Sequence, residues 1–205
     1  MKNKLPLYLE NTFKSIYGNF GERFSATLLE SLLLSPMTIL FLYINTLSLN
    51  NYYFILPISQ ILTLVYFVYL PVKYGATPGK LIMGLTILKS DGSNINYKDA
   101  FMKYLPVLIL SLFSVFLHIY GITKANENNF NGLSWFEKTK YIQSFSQPLN
   151  YIIVGLVNIF YFVNVIVFLL NDRKQSVGDQ LADTVVVYKR HLNKINEINE
   201  EKNSI

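Results

Sequence analysis

The sequence predicts an all-α membrane protein: four transmembrane helices with N and C termini cytoplasmic, plus a small cytoplasmic β-hairpin or sheet. Three observations lead there. Of the 205 residues 51% are hydrophobic and 15% charged, whereas a soluble domain carries about a quarter charged residues. Four stretches, 24–44, 52–72, 104–123 and 149–170, hold a single charge between them, and each has the roughly 20 residues that cross a hydrocarbon core. The cations are distributed unevenly along the chain. Lys2, Lys4, Lys14 and Arg23 precede the first stretch. Lys73, Lys80, Lys89, Lys98 and Lys103 fall between the second and third, and Arg173, Lys174, Lys189, Arg190, Lys194 and Lys202 follow the fourth. The segments 45–51 and 121–148 hold three cations between them, so the positive-inside rule places both termini and the central connection in the cytoplasm, as for a multi-pass protein of the cell's plasma (inner) membrane.

The net charge of +5 is therefore an orientation signal. Its cations are spread over three segments with no basic aromatic stripe, which argues against nucleic acid and for anionic lipid head groups of the bilayer as their partner. The absence of cysteine excludes disulfides, thiol catalysis and thiolate metal sites.

Lys2 and Lys4 are followed by Leu5-Pro-Leu-Tyr-Leu, but Glu10 and Lys14 interrupt the arm before it reaches signal-peptide length, so it reads as retained. Leu5, Leu9, Phe13 and Ile16 recur at helical spacing, which predicts a short helix on the cytoplasmic membrane surface. The first span carries Glu30, an acid that costs about 2.5 kcal/mol or more to hold ionised at mid-membrane. Arg23, Thr27, Glu30, Ser31 and Thr38 share roughly one face of that helix, and that face is expected to look inward. Polar residues of the other spans can meet it: Gln60 and Thr63, then Ser111, Ser114 and His118, then Asn164. Such residues line a cation or proton path, or they act as hydrogen-bonding glue between helices.

After the second span, Pro78-Gly79 marks a turn. The segment 81–96 reads as a hairpin, with Asp91-Gly92 between apolar runs. The β-branched run 183–188 is expected to pair with 81–88 and so cover open strand edges. Between the third and fourth spans, Ser134-Trp-Phe-Glu137 reads as a capping box opening a helix that ends before Pro148. Trp135, Phe136 and Tyr141 there suit an aromatic belt, or else a lid or receptor surface. Asp172 and Asp179, seven residues apart on a helix continuing from the fourth span, would share a face, with Asp179 turned toward Arg23. The polar tail 193–205 is expected to be disordered.

Glu30 lies about 9 Å inside the cytoplasmic end of its helix, within reach of Arg23, Lys80 or Arg173. Either it is pinned in a cytoplasmic charge cluster with Lys80, Asp172 and Arg173 nearby, or it titrates as an ion-coupling carboxylate. Glu30, Asp172, Asp179 and Asp183 have no recognised metal spacing. Gly75-Ala-Thr-Pro-Gly79-Lys80-Leu81 imitates a phosphate loop but is one residue short and lacks the Ser or Thr that binds magnesium. His118 and His191 have no local relay partner. The expectation is a protein that is not an enzyme, with no cofactor and no metal.

Three blocks, FGERFSATLLE at 20–30, GATPGKLIMGLTI at 75–87 with Asp91-Gly92, and DRKQSVGDQLADTVVV at 172–187, resemble the RDD family of bacterial integral membrane proteins. They occur in the family's order and span nearly the whole chain, as a single domain of this type over 1–205. The resemblance matches Arg23 to the family's Arg, Glu30 to its first Asp and Asp179 to its second. Lys103 stands where members commonly have Arg, and Gly178 and Asp183 replace the usual His and Gly. The resemblance implies transport, with exchange of sodium or another monovalent cation for a proton: Glu30 as the exchanging carboxylate, Arg23 and Asp179 tuning it. The alternative is a non-transporting scaffold or accessory subunit. Four helices make a thin bundle, so a transporter is expected to be a homo-oligomer or to sit in a membrane complex.

Overall fold

A computed structural model describes residues 4–8 and 15–203. Four helices in it are long and apolar enough to cross a membrane: α1 (Phe20–Leu47), the run Leu49–Tyr74, α5 (Tyr97–Lys124) and α8 (Gln147–Leu170). Each predicted span lies inside one of them. Phe54 and Tyr151 are 69% exposed and Leu32 68%, a surface that water would penalise and lipid would not. The second run comprises α2 (Leu49–Leu64), a π turn at Val65–Tyr69 and α3 (Leu70–Tyr74). Gly75 ends it in the left-handed conformation, φ 86°, its N–H returning to the Pro71 carbonyl. The remaining elements are α4 (Pro78–Ile82), β1 (Leu85–Lys89), α6 (Glu127–Asn131), α7 (Trp135–Ser144), α9 (Val177–Leu181), β2 (Thr184–Tyr188) and α10 (Leu192–Asn203).

The chain forms two compact units. The first draws on Met1–Leu33, Val65–Leu105 and Val163–Ile205, the second on Leu34–Leu64 and Pro106–Phe162.

In the first unit β1 and β2 pair antiparallel, Leu85 opposite Tyr188 and Lys89 opposite Thr184. The predicted strand partner is correct, but 81–82 belong to α4, because Thr77 is extended before Pro78 and Pro78 starts a helix. Only Asn94 of the expected second hairpin arm bridges back, to Leu88. Leu85, Ile87 and Val186 pack with Ala26, Ala76 and Ala100. Leu88, Val185 and Val187 pack with Leu5, Ile16, Tyr17 and Ile195 on the other side. A two-stranded ribbon is marginal alone; burial of both faces sustains this one and explains its uninterrupted apolar run.

Two expectations for the ends of the chain change. Leu5 and Ile16 are fully buried in this core and lie outside any helix; Leu9 and Phe13 lie outside the described residues. The polar tail is helical through Asn203 because Ile195, fully buried, and Leu192 anchor it on the same core.

In the second unit Leu49, Tyr52, Ile122, Phe130 and Ile142 form the core. Gly121 packs so closely that a Cβ there would meet the Ile142 carbonyl. The Lys138 ammonium donates to the Thr46 carbonyl at 2.7 Å and lies 4.8 Å from the centre of the Phe130 ring. Helix α7 opens as expected, the Glu137 carboxylate accepting from the Ser134 N–H and hydroxyl at 3.0 and 2.6 Å. Trp135 and Phe136 are exposed, while the Tyr141 hydroxyl accepts the Asn126 N–H.

Candidate functional site

The first unit contains two clusters of buried charge. The larger is centred on Asp179, whose side chain is wholly buried. Ser176 caps α9, donating its hydroxyl to the Asp179 carboxylate at 2.8 Å while accepting the Asp179 N–H. This Ser-x-x-Asp box fixes the acid at the start of a one-turn helix. From α1, Arg23 donates to one Asp179 oxygen at 2.6 Å and to the Lys174 carbonyl at 2.6 Å, its guanidinium 4.9 Å from the centre of the Phe168 ring. From α5, Lys103 pairs with the other oxygen, which also accepts the Thr184 hydroxyl at 3.2 Å. Burial alone would raise the Asp179 pKa; Lys103 and then Arg23 outweigh it and hold the carboxyl well below the usual carboxylate range. Asp179 is thus a fixed anion between two cations from different helices.

The second cluster is centred on Glu30, 5% exposed. One turn before it, Ala26 is fully buried, and Gly79 meets both: a Cβ at Gly79 would lie 2.5 Å from the Ala26 carbonyl and from Glu30 Cγ. That closeness brings α4 onto α1. Thr77 donates its hydroxyl to Glu30 Oε1, and the Lys80 ammonium donates to the same oxygen at 2.9 Å and lies 3.1 Å from the Thr77 hydroxyl. Tyr66, in the π turn, brings a buried hydroxyl without a well-formed hydrogen bond into the neighbourhood of Glu30 and the Gly79 backbone.

Several sequence expectations are met. Arg23 faces Asp179, and Lys80 is the cation that reaches Glu30. Gln60 and Ser111 meet across helices, the Ser111 hydroxyl donating at 3.1 Å. Others are corrected. Helix α8 stops at Leu170 and Asn171–Lys174 turn, Lys174 at φ 53°; Asp172 is consequently exposed and shares no face with Asp179. Arg173 buries one guanidinium nitrogen without a partner among the described residues and forms no ion pair with Glu30. Thr27, Ser31 and Thr38 are exposed and donate to the carbonyls of Arg23, Thr27 and Leu34 on their own helix. A hydroxyl that bonds its own backbone needs no inward partner, so the inward face is Arg23, Ala26 and Glu30 instead. Thr63 likewise donates to Ser59, the Ser114 carbonyl is engaged by His118, and Asn164 accepts the Val177 N–H at the start of α9.

Sequence reasoning missed Thr77 and Thr184 as partners of the acids, Tyr66 as a neighbour of Glu30, and Lys103 as the second cation on Asp179. The Ser176-x-x-Asp179 spacing was a readable signal; nothing local marks Tyr66. Asp183 has φ 50°, a left-handed conformation costly for any residue with a Cβ and best filled by glycine. Asp183→Gly is therefore expected to stabilise the protein by about 0.5–1 kcal/mol, after allowance for the extra freedom of glycine in the unfolded chain; thermal unfolding in detergent would read it.

Neither the curated proteins nor the solved structures offer a match to the chain. The model of the RDD family matches residues 17–183, a stretch that contains both charge clusters, all four apolar helices and the first strand, and the chain is a multi-pass membrane protein of the RDD family.

Proposed function

We propose that this protein exchanges a monovalent cation such as Na+ for a proton at Glu30, with Lys80 as the group that yields. The supporting observation is the cluster itself: a nearly buried carboxylate sharing one oxygen between a threonine hydroxyl and a lysine ammonium, with the buried Tyr66 hydroxyl, which makes no well-formed hydrogen bond among the described residues, in its neighbourhood. Hydroxyl and carboxylate oxygens suit a hard cation. A cation entering the cluster competes with the ammonium for Glu30. The displaced Lys80, its side chain 13% exposed and now unpaired, releases a proton, and reprotonation of Lys80 expels the cation. One positive charge enters as one leaves. Arg23, about two turns nearer the start of α1, and its partner Asp179 of α9 hold the helix end in place and set the local field. The protein acts without enzymatic chemistry, in the cell membrane with both termini cytoplasmic.

A second reading, a scaffold or accessory subunit of a membrane complex, is favoured by a different observation: both acids are already neutralised by fixed cations. Proteoliposomes separate the two. Under the first reading, Na+, Li+ or K+ dissipates an imposed pH gradient, Glu30→Gln abolishes the flux, and Lys80→Met leaves cation binding but uncouples it from protons. Absence of flux above empty liposomes, with monodisperse and correctly inserted protein, would overturn exchange and leave the subunit reading.

A further inference from the structure

Asn158 is the twelfth residue of the 24-residue helix α8, about 17 Å by helical rise from either end and hence at the centre of the span. Its side chain is exposed, and its amide hydrogen-bonds no described residue. An amide left bare in hydrocarbon costs several kcal/mol, so α8 is incomplete in a single copy. Hydroxyl side chains of the first two spans provide the contrast, because Thr27, Ser31, Thr38 and Thr63 satisfy themselves on their own helices.

Around Asn158 the second unit has an open groove of about 320 Å³, with Leu110, Ser111 and Ser114 of α5 on one side and Val154 and Tyr161 of α8 on the other. One turn before Asn158, a Cβ at Gly155 would meet nothing within 4 Å, so the backbone there is open to close approach. We propose that this face of α8 is the contact between two copies of the chain, with the two Asn158 amides paired across a twofold axis. The occupant follows from the chemistry of the group. An amide both donates and accepts, so its own copy can match it in a cyclic pair of one N–H and one carbonyl from each side, and an isologous contact places identical groups opposite each other at the axis. A lipid chain filling the same groove would offer an apolar surface and leave the amide bare at this depth. The assignment is independent of ion exchange, since no residue of either charge cluster lies in the groove.

The chain has no cysteine, so single-cysteine variants report directly. Asn158→Cys in membranes is expected to form a disulfide-linked dimer on mild oxidation, while Leu156→Cys, on the far side of α8, stays monomeric. By fluorescence energy transfer during dilution into excess lipid, Asn158→Leu is expected to weaken self-association about tenfold or more, the size expected from losing interhelical hydrogen bonds, and Asn158→Gln to retain most of it. Gly155→Leu should weaken it through shape alone. Equal crosslinking at 156 and 158, or a wild-type protein that stays monomeric at every lipid ratio, would overturn the proposal and assign the amide to a lipid or to a different protein.

Discussion

Asp179→Asn is expected to cost about 3–5 kcal/mol, the largest effect expected of a single substitution, because it removes the anion held between two largely buried cations. The asparagine keeps one acceptor oxygen, so it can serve Ser176 or Thr184, which donate to different Asp179 oxygens, but not both in place, and it leaves Arg23 and Lys103 facing each other with no counter-charge. Arg23 comes from the first span and Lys103 from the third, so the repulsion acts on the attachment of both helices to α9. Thermal or denaturant unfolding in detergent would measure it. Adding Lys103→Met to Asp179→Asn should recover part of the loss, since the double variant has one unpaired cation rather than two. If Asp179→Asn melts with the wild type, the cluster contributes nothing to stability.

The depressed Asp179 pKa has a definite sign in pH. In the unfolded chain the carboxyl titrates near the ordinary aspartate value of about 3.9, and in the folded protein it titrates lower. Its contribution is therefore complete at neutral pH and is lost only as the pH falls below that ordinary value toward the folded one. Between about pH 5 and 7 the difference in stability between the wild type and Asp179→Asn should be flat, and it should shrink below about pH 4.

Gly79→Val has the second largest expected effect and acts through shape. The new Cβ would lie 2.5 Å from the Ala26 carbonyl and from Glu30 Cγ, and the branch adds bulk where backbone already meets backbone. Overpacking of this kind costs about 1–3 kcal/mol or more, and relief requires α4 to withdraw from α1. Withdrawal carries Thr77 and Lys80 away from Glu30, so the same substitution should abolish any cation-dependent flux. Gly21→Ala is the control, because a Cβ there meets only the Asn19 side chain, at 3.4 Å. Equal melting temperatures for the two variants would show that the α1–α4 contact can relax.

Much of this was legible in the chain. The four apolar runs are long and nearly free of charge, and a pattern repeated over 20 residues survives errors at its ends. The β-branched run at 183–188 identified the partner of the first strand, whereas the Asp91-Gly92 turn pointed to a second hairpin arm of which only Asn94 bridges back. Asp179 turned toward Arg23 was expected from placing it beyond the fourth span at the cytoplasmic mouth, and the two do meet, although the continuous helix assumed for it does not form. What failed was inference from helical spacing across a boundary: Asp172 and Asp179 share a face only if α8 continues, and the turn at Asn171–Lys174 stops it. The polar stripe of α1 misled for another reason. Threonine and serine in an apolar helix can satisfy themselves on the preceding turn, so their shared face says little about direction, whereas the unremarkable Ala26 marks the buried side. The α10 helix was hidden by composition, since Leu192 and Ile195 suffice to anchor an otherwise polar segment. Two departures from the family pattern are in contact: the Gly178 position of α9 lies against the Lys103 backbone, and a Cβ there would collide with the Lys103 carbonyl.

The Arg23 and Asp179 partners are 156 residues apart in sequence, and β1 pairs along its length with a strand that begins at Thr184. During synthesis, then, the chain through all four spans can be made and inserted while Arg23 and Lys103 wait without Asp179 and β1 lacks its partner strand. Closure arrives only when the stretch holding Asp179 and β2 has left the ribosome. A chain cut short before that point would carry all four spans and yet show an open strand and two orphaned cations, the features by which quality-control proteases and holdases could tell an unfinished copy from a finished one.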